Sequence, residues 1–155
     1  MAYVLGQKSL DKLRGVHPRL VQVVKRAITI TKQDFAVTDG LRTAETQRIL
    51  VQRGASKTML SKHLKQRDGW GHAVDLVPFV NGAPRWEWEP IWNIAVAVDQ
   101  ASTELNVNLV WGAVWDRNLM SYGGSPAELK AAVEAYKKRH PGPDFLDGPH
   151  YQLSN

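Results

Sequence analysis

Cysteine is absent from the chain. That excludes both a disulfide framework and a thiolate zinc site, so any metal must be held by nitrogen and oxygen. Long apolar runs are lacking too. None approaches the roughly 20 residues that cross a bilayer, and no stable membrane association is expected. The N-terminus has no basic start leading into an apolar core, so no signal peptide is expected. Blocks of like charge are scarce, apart from Lys137, Lys138 and Arg139, which complement the dipole of a helix ending there. No basic stripe marks one face as a nucleic-acid surface, so no nucleic-acid partner is expected.

What is present suits one domain over residues 1–155. The chain has 155 residues with 43% hydrophobic content, enough for a sizeable core. A net charge of +5 favours an anionic partner such as nucleic acid, an acidic surface or an anionic cell wall. Charge does not choose among them. Five histidines, His17, His63, His72, His140 and His150, are available for nitrogen ligation.

Periodicity places the elements. A short helix is expected around Ser9 to Arg14. Leu20, Val23, Val24, Ala27 and Ile28 recur at helical spacing, with Pro18 in the first turn and His17 at its entrance in a structural role. Phe35 to Thr38 reads as a strand, Asp39–Gly40 as a turn, and Thr43 as the cap of a helix through about Gln52. Residues 54–62 read as loop. His72 to Val77 reads as a strand closed by Pro78, followed by an Asn81–Gly82 turn and a hairpin arm ending at Trp86. A long core helix is expected from about Glu87 to Leu105. Val107 to Trp111 reads as a strand. Ser125, Pro126 and Glu128 form a capping box for a helix ending by His140, another structural histidine. His150 to Leu153 is a final strand.

The chemistry concentrates between Ser61 and Leu76, with a distant complement at Asp147 and His150. His63, Asp75 and His150 offer two nitrogens and one oxygen. That leaves the fourth position of a catalytic zinc site for water. Asp147 can reach the same cavity as a general acid/base if Gly148 and Pro149 turn the backbone. His72 is the competing ligand. In a regular strand, however, His72 and Asp75 point to opposite faces. Arg42, at a strand–turn–helix junction, suits a substrate carboxylate. Trp111 and Trp115, flanking Gly112, suit either a groove or the core.

Ser61, His63, Gly71, Ala73 and Asp75 match Ser-x-His followed by Gly-x-Ala-x-Asp. The chain therefore resembles the zinc D-Ala-D-Ala carboxypeptidase and L-alanyl-D-glutamate peptidase family, and most of all its phage endolysin branch. The run Leu76 to Val80, then Asn81–Gly82 and Trp86, is similar to that branch's continuation. Trp111-Gly112 with Trp115, and Asp147-Gly148-Pro149-His150-Tyr151-Gln152-Leu153, resemble its later segments. The resemblance implies an α+β fold, with a small antiparallel sheet forming a zinc cleft flanked by helices. It implies zinc on His63, Asp75 and His150, and Asp147 as the catalytic acid/base. It implies that Arg42, Ser61, Trp111 and Trp115 contact substrate. The implied reaction is hydrolysis of the L-Ala–D-Glu bond of the peptidoglycan stem peptide, causing host cell lysis. The implied protein is a monomer, held in the host cytoplasm until a separate membrane-permeabilising protein releases it to the wall.

One departure stands out. The family runs Ser-x-His-x-x-Gly-x-Ala-x-Asp without interruption, whereas here Leu64 to Trp70 add about five residues between the two halves. Either this segment bulges outward beside the cleft, bringing Lys65 and Arg67 toward anionic wall material, or ligation shifts to His72; the bulge is the expectation. D-Ala-D-Ala carboxypeptidase activity, a zinc nuclease, and a non-catalytic cell-wall or nucleic-acid binding module are the alternatives.

Overall fold

Capping and periodicity agree along most of the chain, and the helices form where they do. The computed structural model describes residues 2–56, 58–143 and 145–154. Helix α1 (Gln7–Lys12) precedes α2 (Pro18–Ile30). His17 caps α2, its Nδ1 accepting from the Arg19 N–H. Thr43 caps α3 (Ala44–Gln52) through its hydroxyl. Helix α4 (Trp88–Leu105) ends on Asn106 in the left-handed region. Helix α5 (Pro126–Arg139) opens with the complete Ser125–Glu128 capping box. The loop expected over residues 54–62 is irregular where described, and its Lys57 lies outside the described residues.

Six strands form one antiparallel sheet: β1 (Phe35–Asp39), β2 (Ala73–Val80), β3 (Ala83–Pro84), β4 (Leu109–Trp111), β5 (Val114–Asn118) and β6 (His150–Leu153). The order is β1-β2-β6-β4-β5, with β3 hairpinned onto β2. The C-terminal strand β6 thus lies between β2 and β4 and brings the chain's end against the Gly71–Asp75 segment. The fold is the expected α+β arrangement of a small antiparallel sheet with flanking helices.

Several expected boundaries shift: α1 spans Gln7–Lys12 rather than Ser9 to Arg14, and β2 begins at Ala73 rather than His72. Strand β2 runs past Pro78, because the ladder continues around the missing N–H. The Phe79 N–H donates to Asp34 and the Pro78 carbonyl accepts from Arg85. The arm expected to end at Trp86 stops at Pro84, leaving Trp86 exposed. Strand β4 starts at Leu109 rather than Val107, because the left-handed Asn106 cap turns the chain first.

Strand alternation divides β2 and β6 between two environments. Val74 faces Tyr151 in the register, and both are buried in one cluster with Leu76, Trp111 and the apolar stripes of α2 and α4. The alternate residues Asp75, His150 and Gln152 line a cleft.

Candidate metal centre

Asp75 and His150 are directly opposed Cα partners between β2 and β6. His150 Nδ1 lies 3.3 Å from Asp75 Oδ1. His63 arrives from the segment before β2, and its Nε2 is also 3.3 Å from Asp75 Oδ1. Ligand atoms of the three residues lie within 4.8 Å of one another. Neighbouring ligands of a tetrahedral zinc, each about 2.0–2.1 Å from the metal, are about 3.3 Å apart. The cluster has the composition and spacing of a zinc-binding site.

Each imidazole is oriented by its other nitrogen. His63 Nδ1–H donates to the Gly40 carbonyl at 2.8 Å, and His150 Nε2–H donates to Gln152 Oε1 at 2.8 Å. In the neutral tautomers these bonds select, His63 Nε2 and His150 Nδ1 turn bare lone pairs toward a carboxylate oxygen. That arrangement is repulsive unless a cation or shared protons sit between them, so the donor set fits a divalent metal. Burial pushes the Asp75 carboxyl up, but when the imidazoles carry the shared protons, the hydrogen bonds and charge of His150 and His63 overcome it and hold Asp75 well below the usual carboxylate range. Burial lowers His150, and Asp75 and Gln152 more than restore it.

The backbone around the cluster is tightly specified. His63 N–H donates to Ser61 Oγ at 3.1 Å, and its carbonyl accepts from Arg42 N–H at 2.8 Å. Gly40 passes so close to α1 that a Cβ there would overlap the Lys12 carbonyl oxygen. A Cβ on Gly112 would overlap the Asp147 carbonyl oxygen and crowd His150. Gly112 also brackets the C-terminal turn, donating to His150 and accepting from Asp147 N–H, each at 2.8 Å. The expected turn through Gly148 and Pro149 is present, with His150 N–H donating to the Asp147 carbonyl at 3.1 Å.

His63, Asp75 and His150 line a cavity of about 460 Å³ that also takes in Arg42, Ser61, Asp147 and Trp115. Burial raises the Asp147 carboxyl first, Asp75 raises it further, and His150, His63 and Arg42 oppose both. Arg42 is buried. Its Nε and Nη2 donate to Asp39 and its Nη1 donates to Gln47 Oε1 at 2.7 Å. Of the guanidinium's five N–H groups, one on each terminal nitrogen donates to none of the described residues, and Nη2 lies 4.0 Å from Asp75 Oδ2. Gln47 is fully buried and its amide donates to Ser56 and Thr58, tying Arg42 to the cleft wall. Trp115 stacks on Phe145 and its ring centroid lies 5.1 Å from that of His150.

Two expectations need correction. Trp111 does not line the cleft. It is the register partner of Tyr151 on the opposite, core side of the sheet. It is fully buried and donates from Nε1 to the Gly148 carbonyl at 2.7 Å. Its role is packing, and truncating such a side chain costs about 3–5 kcal/mol. Lys65 and Arg67 are exposed but do not line the cleft cavity. The inserted segment folds back on itself, with Gln66 N–H donating to the Trp70 carbonyl, and Asp68 turns toward α2. There Asp68 accepts from His72 Nε2 at 2.7 Å, and the His72 ring lies against His17. His72 is held on the far side from the metal ligands, as strand parity requires.

Sequence reasoning gave Gly40 only a turn and assigned no role in the site to Gly40, Gln47, Gln152 or Phe145. A signal existed for Gln152, which shares a strand face with His150 at a spacing of two. Gly40 and Phe145 depend on approaches between distant segments, whereas Gln47 lies five positions from Arg42.

The family model for the phage L-alanyl-D-glutamate peptidase matches residues 1–153. The L-alanyl-D-glutamate peptidase of Escherichia phage T5 is 32% identical over 117 residues, covering 75% of this chain and 84% of that protein. The crystal structure of the Serratia marcescens L-Ala D-Glu endopeptidase ChiX superposes with a TM-score of 0.71 at 34% identity, over 97% of this chain and 90% of that one.

Proposed function

Because this chain belongs to the phage L-alanyl-D-glutamate peptidase family, a group of zinc metallopeptidases acting on the peptidoglycan stem peptide, we infer a mechanism built on the His63–Asp75–His150 cluster. The observation that carries it is the shared 3.3 Å approach of His63 Nε2 and His150 Nδ1 to one oxygen of Asp75. Zinc held by these three residues would supply Lewis-acid polarisation of the scissile carbonyl and acidify a water.

The remaining steps belong to the protein. Asp147, in the same cavity with its proton affinity raised by burial, takes a proton from the attacking water and delivers it to the leaving amine of D-Glu. Arg42 offers its two uncommitted N–H groups to the D-Glu carboxylate next to the scissile bond. Asp39 and Gln47 keep the guanidinium in place. Ser61 holds the His63 backbone and presents its hydroxyl to the cleft. Trp115, backed by Phe145, walls the cleft against the apolar parts of the substrate.

The whole chain acts as one catalytic domain and as a monomer, without nucleic-acid or stable membrane partners. It resides in the host cytoplasm before lysis and reaches the wall once a separate protein has permeabilised the membrane. Mass analysis of purified peptidoglycan after digestion tests the reading. New termini between L-Ala and D-Glu are expected. Release of terminal D-Ala in their place would make the chain a carboxypeptidase.

A further inference from the structure

The cleft wall carries a second cation that the reaction above does not use. Lys62 lines the same cavity between Ser61 and His63 and is half-buried. Arg42 is held by Asp39 and Gln47. The Lys62 ammonium, in contrast, has no ion pair or hydrogen bond to any of the described residues. An ammonium on a cleft wall with no counter-charge among the described residues is left to pair with an anionic group entering the cleft.

Position narrows what that group is. Arg42 N–H donates to the His63 carbonyl, and Arg42 bridges to Leu64, so the segments carrying Arg42 and Lys62 run side by side where both residues line the cavity. Consecutive Cα atoms are about 3.8 Å apart, which puts Lys62 immediately beside a metal ligand. With Arg42 on the D-Glu carboxylate, this wall lies on the leaving-group side of the scissile bond. D-Glu continues through its side-chain carboxyl to a diamino acid. In one class of stem peptide that residue ends in a second carboxylate (the diaminopimelate type). In the other it ends in an amine alone (the lysine type).

We propose that Lys62 is a specificity residue that binds the extra carboxylate of a diaminopimelate-type residue, so that the cleft reads two substrate carboxylates with two cations. The proposal rests on the L-Ala–D-Glu reading of the substrate. An amine at that place would meet the Lys62 charge and be repelled, so the same residue selects for one stem and against the other.

The test uses the zinc-loaded protein and two synthetic stem peptides, L-Ala-γ-D-Glu linked to diaminopimelate or to lysine, each also made with the D-Glu α-carboxylate amidated. Wild type should cut the diaminopimelate peptide with a kcat/KM at least about tenfold higher, as expected for one charge-assisted contact. Lys62→Met should remove that preference mainly through KM, while zinc content stays at wild type. Lys62→Arg should retain the preference, and binding of the product γ-D-Glu-diaminopimelate by calorimetry should weaken in Lys62→Met alone. Equal losses on both peptides, or a loss that follows amidation of D-Glu and not the diamino acid, would overturn the proposal while leaving the reaction intact. If wild type cuts none of the peptides between L-Ala and D-Glu, the underlying reading fails and the proposal falls with it.

Discussion

Asp75 and His150 face each other across two antiparallel strands, 75 positions apart in the chain, and meet at 3.3 Å. The pairing register therefore sets the ligand geometry. A slip of one residue would send His150 to the core face and bring Tyr151 into the cleft. The zinc chemistry is thus built into the docking of the C-terminal strand between β2 and β4.

Gln152 extends that arrangement one layer outward. Its Oε1 accepts a hydrogen bond from His150 Nε2–H and so presents Nδ1 to the metal. Gln152→Leu should leave the fold intact and weaken zinc affinity by about 10–100-fold, measured by competition with a chelating indicator. Unchanged affinity would mean that the strand alone orients His150.

Asp147 is asked only to move protons. Asp147→Asn should retain full zinc occupancy and lose about 10²–10⁴ in kcat/KM, read by peptide hydrolysis beside metal analysis of the same sample. Activity near wild type would assign the acid/base role elsewhere.

Asp99 gives a pH signature remote from the site. Burial, reinforced by the charge of Glu128, raises its carboxyl to about 6, and its Oδ1 is buried without a hydrogen-bond partner among the described residues. A raised acid binds its proton more tightly in the folded chain than in the unfolded one. Its contribution to stability is therefore lost as pH rises from about 4 to about 6. Solvent screening reduces the full shift to a cost of about 1 kcal/mol above that window. Asp99→Asn should raise the thermal midpoint at pH 7 by about 2–4 °C and make no difference at pH 4. A gain of equal size at both pH values would exclude the ionisation as its cause.

The legible parts of the chain were those with local causes. Pro18 at the start of α2, Thr43 before α3 and the Ser125–Glu128 box each act within one turn, and the helices begin where they stand. Parity on β2 separated His72 from Asp75, and the His72–Asp68 bond bears that out. The two tryptophans around Gly112 were not separable locally. Trp111 lies core-side only because β4 pairs with β6 in one register, and that pairing joins segments far apart in the chain. The Gly40 carbonyl behind His63, 23 positions away, escaped for the same reason; the Gln47 amide lies only five positions from Arg42 and escaped because its helix faces the cleft wall.

The most direct test of the metal centre is a crystal of the zinc-loaded protein with anomalous data at the zinc edge. One peak per chain should lie about 2.0–2.2 Å from His63 Nε2, an Asp75 carboxylate oxygen and His150 Nδ1, and it should vanish in His63→Ala and persist in His72→Ala. A peak on His72, or full zinc occupancy in His63→Ala, would contradict the assignment.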